Sequence, residues 1–389
     1  MTRKIKVGFI GAGAFVSAHH LLTVRDSDKM TIHAIADINK QLLNAHAAQM
    51  DIGYTTTDYK KILSDADIDI VIIGTKQDLH ARLIIESLNA GKWAFCEKPM
   101  AQNDEESIAV LEAEKQNKAK LAIGFNRRFA PAYVKARELM QSVKRPWYLN
   151  YRLMCPYPNK STFYNDQPHI LYEGTHILDL VCWLLEERPT RVFMTGDRLN
   201  NNCCLMEFSD GSQVSFMCGT MGSYCHWKEQ MELFGEYKAI TVSDFTDMRV
   251  RGWLGEYDQI YPPYLHEHEA EVRKYGFDFY DVYKTAQTCR KEKENFRKLY
   301  NMEMEYVKRP QPLPFNVDNY SQQNPDLHMF YPDKGWRQSL EHFADCFIDN
   351  AVPGNADGKA GAVSTSLALT LLASLEAGMP MEFKGNPAF

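Results

Sequence analysis

The chain has 389 residues, 45% of them hydrophobic and 24% charged, a composition typical of globular proteins that bury a substantial core. Its formal charge of -6 and the lack of a dense lysine and arginine face argue against nucleic-acid binding and favour small-molecule partners. Nine cysteines without a C-x-x-C pair fit reduced thiols better than a disulfide framework or a zinc site, so no metal is expected.

No secretory or membrane segment is expected. The apolar run after Arg3 and Lys4 is interrupted by glycines and lacks a cleavage site. No stretch approaches the roughly 18 uncharged residues that span a bilayer. The sequence therefore predicts a cytoplasmic protein.

An apolar β-run near the start of the chain ends in a glycine turn. Gly11 permits a tight turn from strand to helix, and Gly13 lets the backbone approach a pyrophosphate at the helix N-terminus, where Ala14 and Phe15 follow. Glycines also end strands for ordinary turn reasons, so the motif alone is weak. Val16 replaces the third glycine of the dinucleotide fingerprint, and we expect the helix to pack slightly further from the strand there.

A second β-run ends in Asp37, about twenty residues beyond the glycine turn, where a carboxylate accepts ribose hydroxyls. A carboxylate repels the extra phosphate of NADP, and neither Ile38 nor Asn39 offers a neutralising cation. NAD is therefore favoured over NADP as the cofactor. The alternative is that Asp37 only caps the end of its strand.

Apolar runs alternate with amphipathic segments from residue 4 to about 124, which predicts a parallel sheet covered on both faces. The predicted strands include 69–73, 93–96 and 121–123, and the predicted helices are 14–24, 78–89 and 104–118. Ligands collect at the carboxyl edge of such sheets. The residues just after the predicted strands are Gly11, Asp37, Thr75, Glu97, Lys98 and Asn126.

Beyond residue 145 the pattern changes to β-runs joined by turns, which predicts a mainly antiparallel second domain. Its expected strands are 147–154, 191–196, 229–234, 239–242 and a hairpin of 203–208 with 212–218, closed by a two-residue turn at Asp210-Gly211. The expected helices are 174–185, 336–349 and 360–377. Residues 254–333 do not fit this pattern and are interpreted as an insertion that forms a lid or an intersubunit contact, with a helix over 277–306 and a proline-broken linker at 309–314.

The chain resembles the Gfo/Idh/MocA family, the glucose-fructose oxidoreductase and inositol dehydrogenase type. The resemblance is carried by Gly11-Ala12-Gly13, His19, Ala36-Asp37, Thr75 through His80, Ala90-Gly91-Lys92, Cys96-Glu97-Lys98-Pro99 and Glu173 through Asp179. It implies an α/β fold with an N-terminal Rossmann doubly wound parallel sheet at residues 1–125. It also implies a C-terminal α/β domain at 126–389 with a large, mainly antiparallel open sheet that often forms the interface of a homodimer or homotetramer.

The resemblance implies hydride exchange between NAD(P) and a sugar or polyol carbon. Lys98 would stabilise the reacting oxygen, and Glu97 would order its loop. His176 matches the acid/base histidine of the family, since an imidazole accepts a proton near neutral pH. The alternatives are a solvated lysine and a core histidine. Thr75, His80 and Asn126 would lie with the cofactor.

The chain departs from the family four residues before His176, where many relatives have an aspartate and this sequence has Tyr172. Glu173 lies three residues before the histidine, on the same helix face, and can substitute for that aspartate, whereas Tyr172 is a second proton donor or a pocket wall. Asp179, one turn after His176, orients the ring or binds substrate.

Further candidates surround these residues. Arg127, in the segment Asn126-Arg127-Arg128-Phe129, holds a substrate or cofactor oxygen or pairs with a surface carboxylate. Tyr164, His169 and Trp183 are candidate pocket walls, although aromatic side chains are more often core. The run 266–269, His-Glu-His-Glu, fits a solvated charged face better than a metal site.

Three functions remain open from the sequence. The first is an NAD-dependent dehydrogenase acting on a sugar, sugar derivative or cyclitol. The second is an NAD-recycling glycosidase that oxidises a sugar carbon transiently so that elimination breaks the glycosidic bond. The third is a catalytically silent metabolite sensor, against which the retained Lys98 and His176 argue.

Overall fold

The computed structural model describes residues 3–155, 167–222, 226–261 and 332–385. A six-stranded sheet occupies the N-terminal part, with every adjacent pair of strands parallel and the order β3-β2-β1-β4-β5-β6. The predicted Rossmann sheet is confirmed, and the strand order reverses between β1 and β4, where a ligand crevice forms in such sheets. Its strands are β1 Ile5–Ile10, β2 Met30–Ala36, β3 Tyr54–Thr56, β4 Ile70–Ile73, β5 Trp93–Cys96 and β6 Leu121–Ile123.

Six helices cover this sheet: α1 Ala14–Ala18, α2 His20–Arg25, α3 Lys40–Gln49, α4 Lys60–Ser64, α5 His80–Asn89 and α6 Asp104–Gln116. The single helix predicted over 14–24 is wrong, because the chain breaks at His19, whose φ of -126° and ψ of -63° are not helical. A 3-10 turn at Gln77–Leu79 precedes α5. The sequence analysis did not identify β3, α3 or α4, which are short or weakly amphipathic.

The second sheet has nine strands in the order β14-β13-β12-β11-β7-β10-β9-β8-β15. Only the β7–β10 pair is parallel, so the predicted mainly antiparallel sheet is confirmed. Its strands are β7 Tyr148–Met154, β8 Arg191–Gly196, β9 Asn202–Glu207, β10 Gln213–Gly219, β11 Glu229–Gly235, β12 Lys238–Ser243, β13 Asp247–Arg251, β14 Gln259–Ile260 and β15 Met381–Glu382.

The first residues of the predicted insertion belong to this sheet, because β14 pairs with β13. The insertion therefore does not begin at residue 254. The helix predicted over 277–306 and the linker at 309–314 lie outside the described residues.

The β9–β10 hairpin is confirmed, but its two-residue turn is wrong. Glu207 pairs with Gln213, so residues 208–212 form the loop. Asp210 accepts a hydrogen bond from the Ser212 N–H (2.8 Å) and another from Arg145 (2.9 Å), and these bonds hold the wider loop. Cys203 is exposed and Cys204 is buried, as expected for opposite faces of a strand.

Four further helices complete the described residues: α7 Pro131–Met140, α8 Thr175–Leu185, α9 Trp336–Asp349 and α10 Gly358–Ala377. Helix α10 packs against α6, which covers the first sheet. It also packs against α8 and against strand β8 of the second sheet. Just before it, Ala356 forms an isolated bridge with Ile123 of β6. The C-terminal helices therefore join the two sheets.

The expectation that no stretch approaches the length of a membrane span is wrong for α10. By length and composition, this helix is long and apolar enough to cross a membrane, since its charged residues lie near its ends. However, 61% of its most apolar window is buried inside the protein, as in a core helix.

Val16 does not force the first helix away from the sheet, because Gly74 makes room for it. A Cβ at Gly74 would lie 2.2 Å from Cγ2 of Val16. The glycine missing from the helix is thus compensated by a glycine at the end of β4. The Val16 side chain thus occupies the space that a side chain at position 74 would need.

This pairing predicts the stability of Gly74→Ala. The added methyl meets a β-branched side chain with one preferred rotamer, so we expect the free energy of unfolding to fall by about 1–3 kcal/mol. Adding Val16→Ala should recover most of that loss, as measured by urea unfolding. Equal losses in the single and double variants would contradict the pairing.

Candidate active site

The glycine turn after β1 leaves an open surface at the start of α1. Gly11 has a φ of +88°, and a Cβ there would lie 2.6 Å from the carbonyl oxygen of Gly74, so only glycine fits. Gly13 precedes the helix, and a Cβ there would meet no atom within 4 Å. Ala14 and Phe15 are exposed beside it. The turn therefore has the shape that a pyrophosphate needs.

Asp37 reaches this turn from the end of β2. Its Oδ2 accepts a hydrogen bond from the Ala12 N–H (2.9 Å), and its Oδ1 accepts one from the Asn39 N–H (2.8 Å). The Asp37 carboxylate thus caps the end of its strand and also lies beside the glycine turn. Capping the strand is therefore compatible with the prediction that Asp37 binds the ribose hydroxyls.

His80 is buried between two loops at the carboxyl edge of the sheet. Its Nδ1 lies 2.8 Å from the carbonyl oxygen of Pro99, and its Nε2 lies 3.3 Å from that of Thr75. Burial lowers the pKa of His80, which favours the neutral ring. A neutral ring carries one N–H, and the shorter distance places it on Nδ1, which donates to the Pro99 carbonyl oxygen of the Lys98 loop. The contact of His80 with the cofactor stays a prediction.

Glu97 is buried at the end of β5, where its Oε1 lies 2.7 Å from Nε2 of His20. Burial alone would raise the pKa of this carboxyl, but the hydrogen bond from His20 and the nearby positive charges hold it below its usual value. His20 was not among the predicted site residues, because a histidine inside a short helix carries no motif signal.

Lys98 bridges the two parts of the chain. Its Nζ lies 3.1 Å from Oε1 of Glu173 and 3.2 Å from the carbonyl oxygen of Tyr172. The lysine and glutamate side chains are only 15% and 13% exposed. The Glu173 carboxylate, and not the Tyr172 hydroxyl, therefore contacts the lysine.

Glu173 lies in a π-helical turn, Ile170–Gly174, that runs directly into α8. Its second oxygen lies 3.3 Å from Nζ of Lys228. Burial would raise the pKa of Glu173, but Lys228 and Lys98 hold it well below its usual value. The turn thus carries a fixed negative charge next to Lys98, and π-helical turns are frequent at functional sites.

His176 follows one turn later and is buried against the ring of Phe125, with centroids 5.9 Å apart. Burial and the charges of Arg127 and Lys98 hold its pKa well below the usual value, so the ring is neutral at physiological pH. Its buried Nδ1 has no hydrogen-bond partner among the described residues. A neutral imidazole can accept a proton.

Both arginines after β6 are held by buried carboxylates. Arg127 donates two hydrogen bonds to Glu229 (2.8 and 2.7 Å), and Arg128 pairs with Asp179. Burial raises the pKa of Asp179 despite that pairing. The expected surface partner of Arg127 is wrong, because Glu229 is buried. The contacts of Arg127 and Asp179 with substrate, and of Asp179 with the His176 ring, stay predictions.

Lys334 completes the ion pair of Arg127, because its Nζ lies 3.2 Å from Oε1 of Glu229. Burial lowers the pKa of Lys334 to about 8. Asn126 donates its amide hydrogen to the Lys334 carbonyl oxygen (2.7 Å), which fixes the start of α9 against the end of β6. Lys228, Glu229 and Lys334 were not predicted, because each is far along the chain from its partner and lies in no motif.

The remaining candidates lie around this centre. His169 is buried at the start of the π-helical turn, where burial lowers its pKa to about 4. Trp183 stacks with the guanidinium of Arg137, 4.4 Å from the ring centroid. Tyr164 and the run 266–269 lie outside the described residues.

One group of possible metal ligands occurs in the described ranges, where ligand atoms of His33, Asp65 and Asp67 lie within 4.8 Å of one another. Each carboxylate already has a partner: the Tyr54 hydroxyl donates to Asp65 (3.0 Å), and Lys6 pairs with Asp67 (3.1 Å). The cluster is explained by these contacts.

The fold and the glycine turn define a nucleotide-binding Rossmann protein. The Gfo/Idh/MocA family model, described as an oxidoreductase family with an NAD-binding Rossmann fold, matches residues 5–125. Residues 5–125 are therefore similar to the NAD-binding domain of that family.

Two curated proteins are similar to about half of this chain. The chain is 30% identical over 204 residues to the uncharacterized oxidoreductase YrbE of Bacillus subtilis, covering 52% of this chain and 60% of that protein. It is 31% identical over 189 residues to inositol 2-dehydrogenase of Salmonella typhimurium, covering 47% and 55%. The chain thus matches less than two thirds of the length of either relative.

The whole fold recurs in a solved structure. Scyllo-inositol dehydrogenase from Lactobacillus casei, with bound NAD(H) and scyllo-inositol, superposes with a TM-score of 0.70. The match covers 98% of this chain and 99% of that one at 17% identity, and it therefore supports the fold.

The open surface at Gly13 predicts the effect of Gly13→Ala. No described atom meets the new methyl, so the midpoint of thermal unfolding should stay unchanged. In Rossmann folds the pyrophosphate approaches the backbone at this glycine, so we expect the methyl to raise the NAD Kd on the order of ten-fold. Titration with NAD and thermal unfolding measure the two effects. A loss of stability without weaker NAD binding would contradict this site.

Proposed function

We propose that the protein is an NAD-dependent dehydrogenase that oxidises a secondary hydroxyl of a sugar, sugar derivative or cyclitol, or reduces the corresponding ketone. The contact of Lys98 with the Tyr172–Glu173 turn is the observation that carries the proposal. It brings the lysine from the carboxyl edge of the nucleotide sheet to the segment that holds His176. The inositol 2-dehydrogenase relative supports the substrate class.

His176 is the proposed acid/base group. Its neutral ring accepts the hydroxyl proton as the carbon is oxidised and returns the proton in the reverse reaction. When bound, NAD supplies the acceptor for the hydride. Because the ring is enclosed, bulk water does not compete readily for the proton.

Lys98 is the proposed electrostatic group. Its ammonium stabilises the substrate oxygen as that oxygen gains negative charge. Glu173 holds the lysine in place, and it replaces the aspartate that many relatives carry four residues before the histidine. Tyr172 supplies its carbonyl oxygen to Lys98 and is left as a wall of the pocket.

Asp37 and the glycine turn are the proposed cofactor contacts, with Thr75 and the Glu97 backbone at the same sheet edge. The Asp37 carboxylate beside Ala12 disfavours a 2′-phosphate, so we propose NAD over NADP. His80 and Asn126 support this edge by fixing its loops.

We also propose a homo-oligomer that uses the outer face of the nine-stranded sheet. Large apolar side chains are exposed on paired strands of that face, namely Tyr148, Leu205, Met217 and Phe234. Exposed apolar patches of this kind mark protein interfaces.

We expect two substitutions at the proposed site to lower kcat while NAD binding is retained. Lys98→Met should lower kcat about 10²–10³-fold, because it removes the charge at the reacting oxygen. His176→Asn should lower kcat about 10²–10⁴-fold, because it removes the base. Lys115→Met, at an exposed lysine of α6, is the matched control and should retain activity.

The assay uses NAD against sugars, inositols and aryl glycosides and records reduced cofactor and released aglycone together. Net NADH formation supports the dehydrogenase. Aglycone release without net NADH would replace it with the redox glycosidase, and NAD binding without turnover would favour the sensor. Full activity in both site variants would reject the assigned residues.

The lowered pKa of His176 predicts the pH dependence. A ring that stays neutral below pH 6.5 keeps its proton-accepting form, so kcat/KM for alcohol oxidation should persist through pH 6.5 and fall only in more acidic buffer. Glu173 raises the pKa of the ring, so Glu173→Gln should move the acid limb to lower pH. Profiles of kcat/KM test both points, and an acid limb at or above pH 6.5 would disagree with them.

A further inference from the structure

We propose that His20 is a positioning residue for Lys98 and that it acts through Glu97. The proposal rests on the function proposed for Lys98. The carrying observation is a buried hydrogen bond between α2, which follows the nucleotide turn, and the end of β5, which carries the lysine.

The histidine ring is held in one orientation. His20 is 1% exposed and lies edge-on to Phe15 and to Phe95, with centroids 5.4 Å away in each case. Its Nε2 faces Oε1 of Glu97 at 2.7 Å. Its Nδ1 is buried without a hydrogen-bond partner in the described ranges, so the proton belongs on Nε2, which donates to the carboxylate.

Gly124 also confines the Glu97 carboxylate. A Cβ there would lie 2.8 Å from Oε1 of Glu97, so only glycine leaves room for this rotamer. The Gly124 N–H also donates to the Cys96 carbonyl oxygen (2.7 Å), which ties the ends of β5 and β6 together. Glu97 is thus clamped between α2 and the sheet.

The titratable groups around Glu97 are His19 and His20 from the first helices, His80 from α5 and the neighbouring Cys96 and Lys98. A buried carboxylate without a hydrogen bond is costly and either takes up a proton or leaves its site. A displaced Glu97 side chain shifts the adjacent backbone from which Lys98 extends toward Glu173, and a protonated one removes the negative charge that interacts with the lysine. His20 therefore determines where the ammonium of Lys98 lies.

Two substitutions at position 20 separate this role from packing. His20→Phe keeps an aromatic ring of similar volume between Phe15 and Phe95 but removes the donor. His20→Gln retains an N–H donor. Gly124→Ala displaces the carboxylate from the opposite side without touching His20.

With NAD and the best substrate, we expect His20→Phe and Gly124→Ala to lower kcat on the order of ten- to a hundred-fold, with the NAD Kd within about three-fold of wild type. His20→Gln should stay within about three-fold of wild type in kcat. If His20→Phe has wild-type kcat, or if His20→Gln is as impaired as His20→Phe, the proposal is wrong.

A second measurement does not depend on turnover. NMR of ¹³C-labelled glutamate carboxyls, with Glu97 identified through Glu97→Gln, should show Glu97 ionising below its usual range in wild type and His20→Gln, and at higher pH in His20→Phe. The same titration in all three proteins would overturn the proposal. A wild-type enzyme without turnover would reject the proposed function and leave this titration as the deciding result.

Discussion

The contact between Lys98 and Glu173 joins the two parts of the protein at the place where chemistry is proposed. The lysine ends a strand of the nucleotide sheet, and the glutamate lies in the turn that leads into the helix of His176. Both side chains are largely removed from solvent, so breaking the pair removes one of the two lysines that compensate the buried Glu173 carboxylate. The pair therefore constrains the position of both sheets as well as the reacting groups.

Other ion pairs reinforce the same junction. Arg127 and Lys334 share Glu229, and Arg128 pairs with Asp179, so the segment after β6 is connected to β11, α8 and the start of α9. Each of these buried charges has an oppositely charged partner. We therefore interpret them as structural groups that hold the two sheets together. Lys98 and His176 are the groups that we propose to act on a substrate.

Much of the fold could be predicted because its signals are local. Alternating apolar runs predicted the parallel sheet, and the glycine turn with Asp37 predicted its ligand edge. The break at His19 could not be predicted, because His19 and His20 face different neighbours only after β5 and α9 are in place. The compensation of Val16 by Gly74 is equally hidden, since the two residues are 58 positions apart and only the folded sheet brings them together.

The site shows the same division between local and long-range information. The family resemblance suggested Lys98 and His176 as the reacting groups, but it could not decide between Tyr172 and Glu173, because the π-helical turn sets which of them meets the lysine. Arg127 and Arg128 pair with Glu229 and Asp179, which lie 102 and 51 residues further along the chain. The sequence around the two arginines therefore gave no sign of these partners.

The most direct test of the account is a crystal structure of the complex with NADH and the polyol or sugar that the assay identifies. The account predicts one substrate hydroxyl oxygen within about 3.2 Å of both the Lys98 ammonium and a ring nitrogen of His176, with its carbon facing the nicotinamide. A bound substrate whose reacting hydroxyl is distant from either group would contradict it.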